Sequence, residues 1–184
     1  RWVTDMRSLC FAYTSLLNIA GFGFLFAAYW AGWLIPLFRD DNTYVVYGIV
    51  ALFTVGLIDC WIKSWKLSRW EAIPLAVHHG VDKNTLLKER FEHMMALPHW
   101  LSTEVAMLGM IGTFVGIIIA ASHLDPGLLN DTASATPAMA EFLKETIASF
   151  GKSMVGASLA LWLAADLYIL NSRAFDIRNS EVAA

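Results

Sequence analysis

Four stretches of this chain, roughly 12–38, 44–62, 103–122 and 147–170, stay apolar for long enough to cross a membrane. A hydrocarbon core of about 30 Å takes about 20 helical residues. No other feature constrains the fold as strongly, because in lipid a spanning segment must pair its own backbone groups and so must be a helix. Composition agrees, with 57% hydrophobic residues, 16% charged residues and a mean hydropathy of +0.53. The expected class is all-α, a polytopic membrane protein with four transmembrane helices. Cys10 and Cys60 have no CxxC or histidine spacing around them, so neither a disulfide framework nor a metal site is expected. A net charge of −3 gives no sign of nucleic acid as a partner. The chain begins at Arg1 rather than Met, which leaves room for further N-terminal sequence and gives no basis for judging a signal peptide.

Three regions follow. Residues 1–62 hold a transmembrane hairpin, whose first helix is over-long, contains Gly21, Gly23 and Gly32, and is expected to end at Pro36. Arg39, Asp40, Asp41 and Asn42 then make the turn. Residues 63–102 form a helical segment with Lys63, Lys66, Arg69, Lys83, Lys88 and Arg90, which the positive-inside rule places in the cytoplasm. Residues 103–184 hold the third span, an external loop from His123 to about Thr146, the fourth span and a tail. Both termini then fall inside, in agreement with Arg1, Arg7, Arg173 and Arg178. Trp30 and Trp33 at one end, and Trp61, Trp65, Trp70 and Trp100 at the other, fit two interfacial belts or ordinary packing.

Enzymatic chemistry finds no support, since no nucleophile with its base, phosphate loop or metal cluster occurs. His78 and His79 are adjacent, point about 100° apart on a helix, and lack a carboxylate partner. In "LLKERFEHMM", Leu86, Leu87, Phe91, Met94 and Met95 recur at helical spacing, so this face packs on a neighbour, and Glu89 with His93 reads as a surface pair. Asp59 beside Lys63 reads as a helix-end ion pair.

The third span is unusual in a second way. Val105, Gly109, Gly112, Thr113 and Gly116 share one narrow face that bears a single hydroxyl. The fourth repeats the design with Ser153, Gly156, Ala157, Ala160 and Ala164. Close packing alone accounts for both faces if each hydroxyl bonds the carbonyl four residues back.

The order of residues adds a resemblance. "LGMIGTFVG" from Leu108, followed about forty residues later by "SMVGASLALW" from Ser153, resembles the two signature helices of the MotA/TolQ/ExbB proton-channel family. The ExbB and TolQ branch reads approximately LGLxGTVxG and then TAxGLxxAIPA. About 35 residues match well. Ser153 stands where the family usually has Thr, Trp162 replaces the usual Pro, and Ala148 stands where ExbB often carries a Glu shortly before that Thr, with Lys152 placed directly before Ser153 instead. The four-span layout looks like MotA, with a shorter cytoplasmic insertion, while the hydroxyl pair looks like ExbB and TolQ.

The resemblance implies a subunit of a homo-oligomeric ring, a pentamer, around a dimer of a single-span MotB/ExbD/TolR-like partner whose helix carries an aspartate. Thr113 and Ser153 would face that aspartate and a file of water. The chain would then be an ion-conducting stator in a bacterial inner membrane, turning proton or sodium motive force into mechanical work, with no cofactor beyond the transported ion. If Ser153 lies level with Thr113, Lys152 is about 12 Å below the outer surface at 1.5 Å per residue. It would then face the ring interior or a vestibule, pair with a partner carboxylate, or snorkel outward. Glu104 and Asp166 fall near the inner boundary, where they either line an ion exit or are hydrated interfacial carboxylates. A different class also fits the small faces: a non-conducting scaffold, in which Gly109, Gly112, Gly116, Gly156 and Ala160 serve packing alone.

Overall fold

The structure is a computed structural model that describes residues 2–32, 35, 44–69, 83–124 and 132–183. Four helices account for nearly all of them: α1 (Trp2–Trp30), α2 (Val45–Ser68), α3 (Lys83–Ser122) and α4 (Thr132–Ala183). No strand occurs among the described residues. Each helix contains a stretch long and apolar enough to cross a membrane, namely Cys10–Trp30, Val45–Ser68, Leu87–Ser122 and Ala135–Asn179. The chain is a four-helix, multi-pass membrane protein.

The helix ends differ from the sequence expectation in ways that local chemistry explains. α1 stops at Trp30, short of Pro36, because Gly32 takes φ +77° and its N–H bonds the Tyr29 carbonyl at 2.9 Å. A glycine in the left-handed region is a common helix terminator, and here it acts before the proline is reached. α3 begins at Lys83, so the third span and the amphipathic "LLKERFEHMM" stretch are one helix of 40 residues. α4 begins at Thr132 and absorbs most of the expected external loop, including Pro137 in its second turn. The small polar run there is no barrier to a helix that carries a long apolar stretch after it. The turn at Arg39–Asn42, the His78 and His79 pair, Trp33, Trp70, Asp125 and Asp131 lie outside the described residues.

Two compact units divide the chain. The first takes Arg1–Leu25, Thr54–Ser102 and Leu161–Ala184. Its core sets Leu87, Phe91 and Met95 of α3 against Leu167, Leu170, Ala174 and Ile177 of α4, with Cys10, Cys60 and Leu67 completing the cluster. The apolar face of "LLKERFEHMM" therefore packs as its spacing predicts. Its surface ion pair forms between Lys88 and Glu92 at 3.7 Å, one position from the Glu89 and His93 expected. Asp59 and Lys63 form the predicted i,i+4 pair.

The second unit takes Phe26–Phe53 and Thr103–Ala160. Here α3 and α4 run antiparallel: Gly109 meets Gly156, Gly112 meets Lys152 and Gly116 meets Ser149. Val46, Ile49 and Phe53 of α2 are buried in this unit. Large apolar side chains such as Phe114, Ile118, Phe150 and Met154 are exposed, while Thr113, Ser149 and Lys152 are buried. This inverted distribution is what lipid or a neighbouring subunit requires of an outer surface.

Candidate functional site

Two buried polar groupings stand out, one in each unit. In the second unit, the glycines of α3 bring its backbone onto α4. A Cβ built on Gly109 would lie 3.0 Å from the Gly156 Cα and 3.2 Å from the Lys152 carbonyl oxygen, so only hydrogen fits there. At this contact the Thr113 hydroxyl, 8% exposed, donates to the Gly109 carbonyl at 3.1 Å and to the Ser149 carbonyl at 3.0 Å. The first acceptor is the bond within its own helix that membrane hydroxyls commonly make, and the second ties the two helices together. Ser149 in turn donates its own hydroxyl proton to the Glu145 carbonyl at 2.8 Å. Toward the end of α3, His123 lies 3.2 Å from the Glu145 carboxylate.

The register decides which hydroxyls are level. Thr113 sits against Ser149, one turn of α4 away from Ser153. Ser153 is half-buried, with its Cα 3.4 Å from the Cβ position of Gly109. Ser149 is the residue that the sequence reading missed, although it continues the Ser153, Gly156 and Ala160 stripe at i−4. Lys152 is 6% exposed, and its Cδ lies 3.5 Å from the Cβ position of Gly112. Its stem is thus packed inside the subunit, over a glycine. Gly112, Gly116, Gly156 and Ala160 are all buried as the stripe predicts, whereas Ala157 and Ala164 face outward.

The first unit holds the second grouping. Cys10, Thr14 and Asn18 line one face of α1 at i, i+4 and i+8, and Cys60 and Ser64 do the same on α2; all five are buried. Ser64 donates to Thr14 at 3.3 Å, and the Cys10 sulfur lies 3.8 Å from the Ser64 oxygen. Trp162 donates its indole N–H to Asn18 Oδ1 at 2.8 Å, while its ring covers Gly21 and meets Phe22 edge-on. One turn along α4, Asp166 is fully buried, and neither of its carboxylate oxygens has a hydrogen-bond partner. Glu104 belongs to the other unit and is only half-buried. No cluster of three metal-ligating side chains occurs among the described residues.

No family model, curated protein or solved structure matches this chain.

Proposed function

We propose that the chain is the ring-forming subunit of an ion-driven membrane motor, which passes protons or sodium ions along α3 and α4 past a carboxylate carried by a single-span partner dimer. The observation that carries this reading is the burial of Thr113 and Lys152 at one glycine-lined crossing of two membrane-spanning helices. Ionisable side chains deep in a membrane protein are costly and mark ion pathways by default, and Thr113 sets a hydroxyl beside Lys152 at that crossing. The path is assigned to Thr113, Ser153, Lys152, Glu104 and Asp166, with Ser149 added by its bond to Thr113. The resemblance of "LGMIGTFVG" and "SMVGASLALW" to the MotA/TolQ/ExbB signature helices supports the same reading, with a pentameric ring in a bacterial inner membrane and both termini in the cytoplasm.

A second reading, a non-conducting scaffold, is favoured by one feature. The Thr113 proton has both of its acceptors within the chain, so packing alone satisfies it. Ion flux in proteoliposomes separates the two readings. The chain is purified with its co-purifying partner, and the native form is compared with Thr113→Ala and Ser153→Ala, with assembly checked by mass. Flux that needs the partner and collapses in both variants at unchanged oligomer mass is the expected result. Intact complexes without flux under either gradient would leave the scaffold.

A further inference from the structure

Asp166 lies within the membrane-spanning stretch of α4, the longest of the described helices, fully buried, with both carboxylate oxygens unpaired. A carboxylate in such surroundings is among the most expensive groups a membrane protein can hold. The side chains that face it are hydrogen-bond donors. Trp162 pins Asn18 Oδ1, so the Asn18 amide nitrogen, buried and without a hydrogen bond of its own, is the polar group turned toward Asp166. From α2, the Cys60 thiol lies within electrostatic reach of the carboxylate, with the Asp59 and Lys63 ion pair beside Cys60. From α3, Leu87, Phe91 and Met95 enter the hydrophobic cluster that also holds Cys60 and Leu167.

A polar route leads away from this site. Asn18 is followed one turn back along α1 by Thr14, then Ser64 across on α2, then Cys10. Thr14 and Asn18 stand four residues apart on one face of α1, a rise of about 6 Å, so the last step from the Thr14 hydroxyl to the carboxylate requires a bridging water. Cys10 opens on a cavity of about 270 Å³ whose wall includes Ser172, Arg173 and Asp176. Arg173 is itself buried with its Nε unpaired, two turns of α4 from Asp166.

We propose that Asp166 is a proton-binding carboxylate of this chain's own, reached from the Cys10, Arg173 and Asp176 cavity through Ser64 and Thr14. The step is a simple protonation: a proton arriving along the hydroxyls adds to one Asp166 oxygen, giving a neutral acid, and leaves by the same bond breaking. A proton fits better than a sodium ion because the neighbours are an amide nitrogen and a thiol, whereas a bare hard cation needs several oxygen ligands. The motor reading counts Asp166 among the path residues but leaves the titrating carboxylate to a partner; the proposal gives proton binding to Asp166 itself, and it holds whether or not the chain assembles into a ring.

Infrared difference spectroscopy of the full chain in lipid nanodiscs, without partner or ion gradient, tests it. Lowering the pH is expected to raise a carboxylic C=O band that Asp166→Asn lacks. In Thr14→Val, which keeps the shape, the band persists but its hydrogen–deuterium exchange slows at least about fivefold, the size of one lost hydrogen bond. Asn18→Leu, which retains the acid, shifts the band position, so the proposal stays testable if Asp166→Asn does not fold. A band unchanged in Asp166→Asn or in Asn18→Leu would overturn the assignment. So would removal of the band by sodium chloride at fixed pH, which would make the site a sodium site. Native exchange rates in Thr14→Val would overturn the route.

Discussion

Gly109 of α3 and Gly156 of α4 approach so closely that a Cβ on Gly156 would lie 2.8 Å from the Gly109 Cα and 2.9 Å from the Val105 carbonyl oxygen. Both obstacles are backbone, so no rotamer change relieves them. Gly156→Ala and Gly109→Ala should therefore each lower the thermal midpoint of the detergent-solubilised chain, at a cost of about 1–3 kcal/mol typical of overpacking. Gly23 in α1 has nothing within 4 Å of its Cβ position. Gly23→Ala is the control, and it should leave the midpoint unchanged or raise it, since alanine is the better helix former. Equal losses in all three would show that the crossing is not the sensitive contact.

Thr113 shares its one proton between the Gly109 and Ser149 carbonyls. Thr113→Val preserves the volume, and membrane hydrogen bonds between helices average only about 0.6 kcal/mol, so stability should fall little. Ion flux, by contrast, should drop by an order of magnitude or more if the hydroxyl lines the path. Thr113→Ser restores the hydroxyl and should recover flux. Flux retained in Thr113→Val would assign the hydroxyl to packing.

How far the sequence disclosed these contacts depends on the signal each leaves. Hydropathy marks the four helices because lipid forces apolar runs. The i,i+4 spacing marks the faces of Leu87, Phe91 and Met95 and the pair Asp59 and Lys63, since one helix decides both. Register between helices leaves no such mark. Taking Ser153 as the partner of Thr113 followed from the family pattern, while the glycine contacts set Ser149 there instead. Thr14 and Asn18 leave no signal in the sequence because two lone polar residues hardly dent a long apolar helix, and their meaning comes only from Ser64 and Trp162, remote in sequence.

The Trp162 and Asn18 bond joins residues 144 positions apart. Trp162→Phe keeps an aromatic ring over Gly21 but leaves Asn18 Oδ1 without its donor in a buried setting. A cost of about 1–3 kcal/mol is expected, read as a lower thermal midpoint. Adding Asn18→Leu removes the orphaned group, so the double variant should be more stable than the sum of the single losses predicts. Strict additivity would show that the two side chains are not coupled.

Lys152 distinguishes a structural cation from a functional one. Its stem packs on Gly112, so part of its contribution is hydrophobic and independent of charge. Lys152→Met keeps the stem and drops the ammonium group, whereas Lys152→Ala also removes the packing. The expected stability order by thermal midpoint is therefore native or Met above Ala, with the Ala loss about 2–5 kcal/mol. A role of the charge in the proposed ion path is read separately, in flux across proteoliposomes with any co-purifying partner present. A Met variant that assembles and is stable, yet conducts at a rate changed severalfold, would place the ammonium group in the field of the moving ion. A Met variant that conducts as the native chain does would reduce Lys152 to a long side chain filling the space above a glycine.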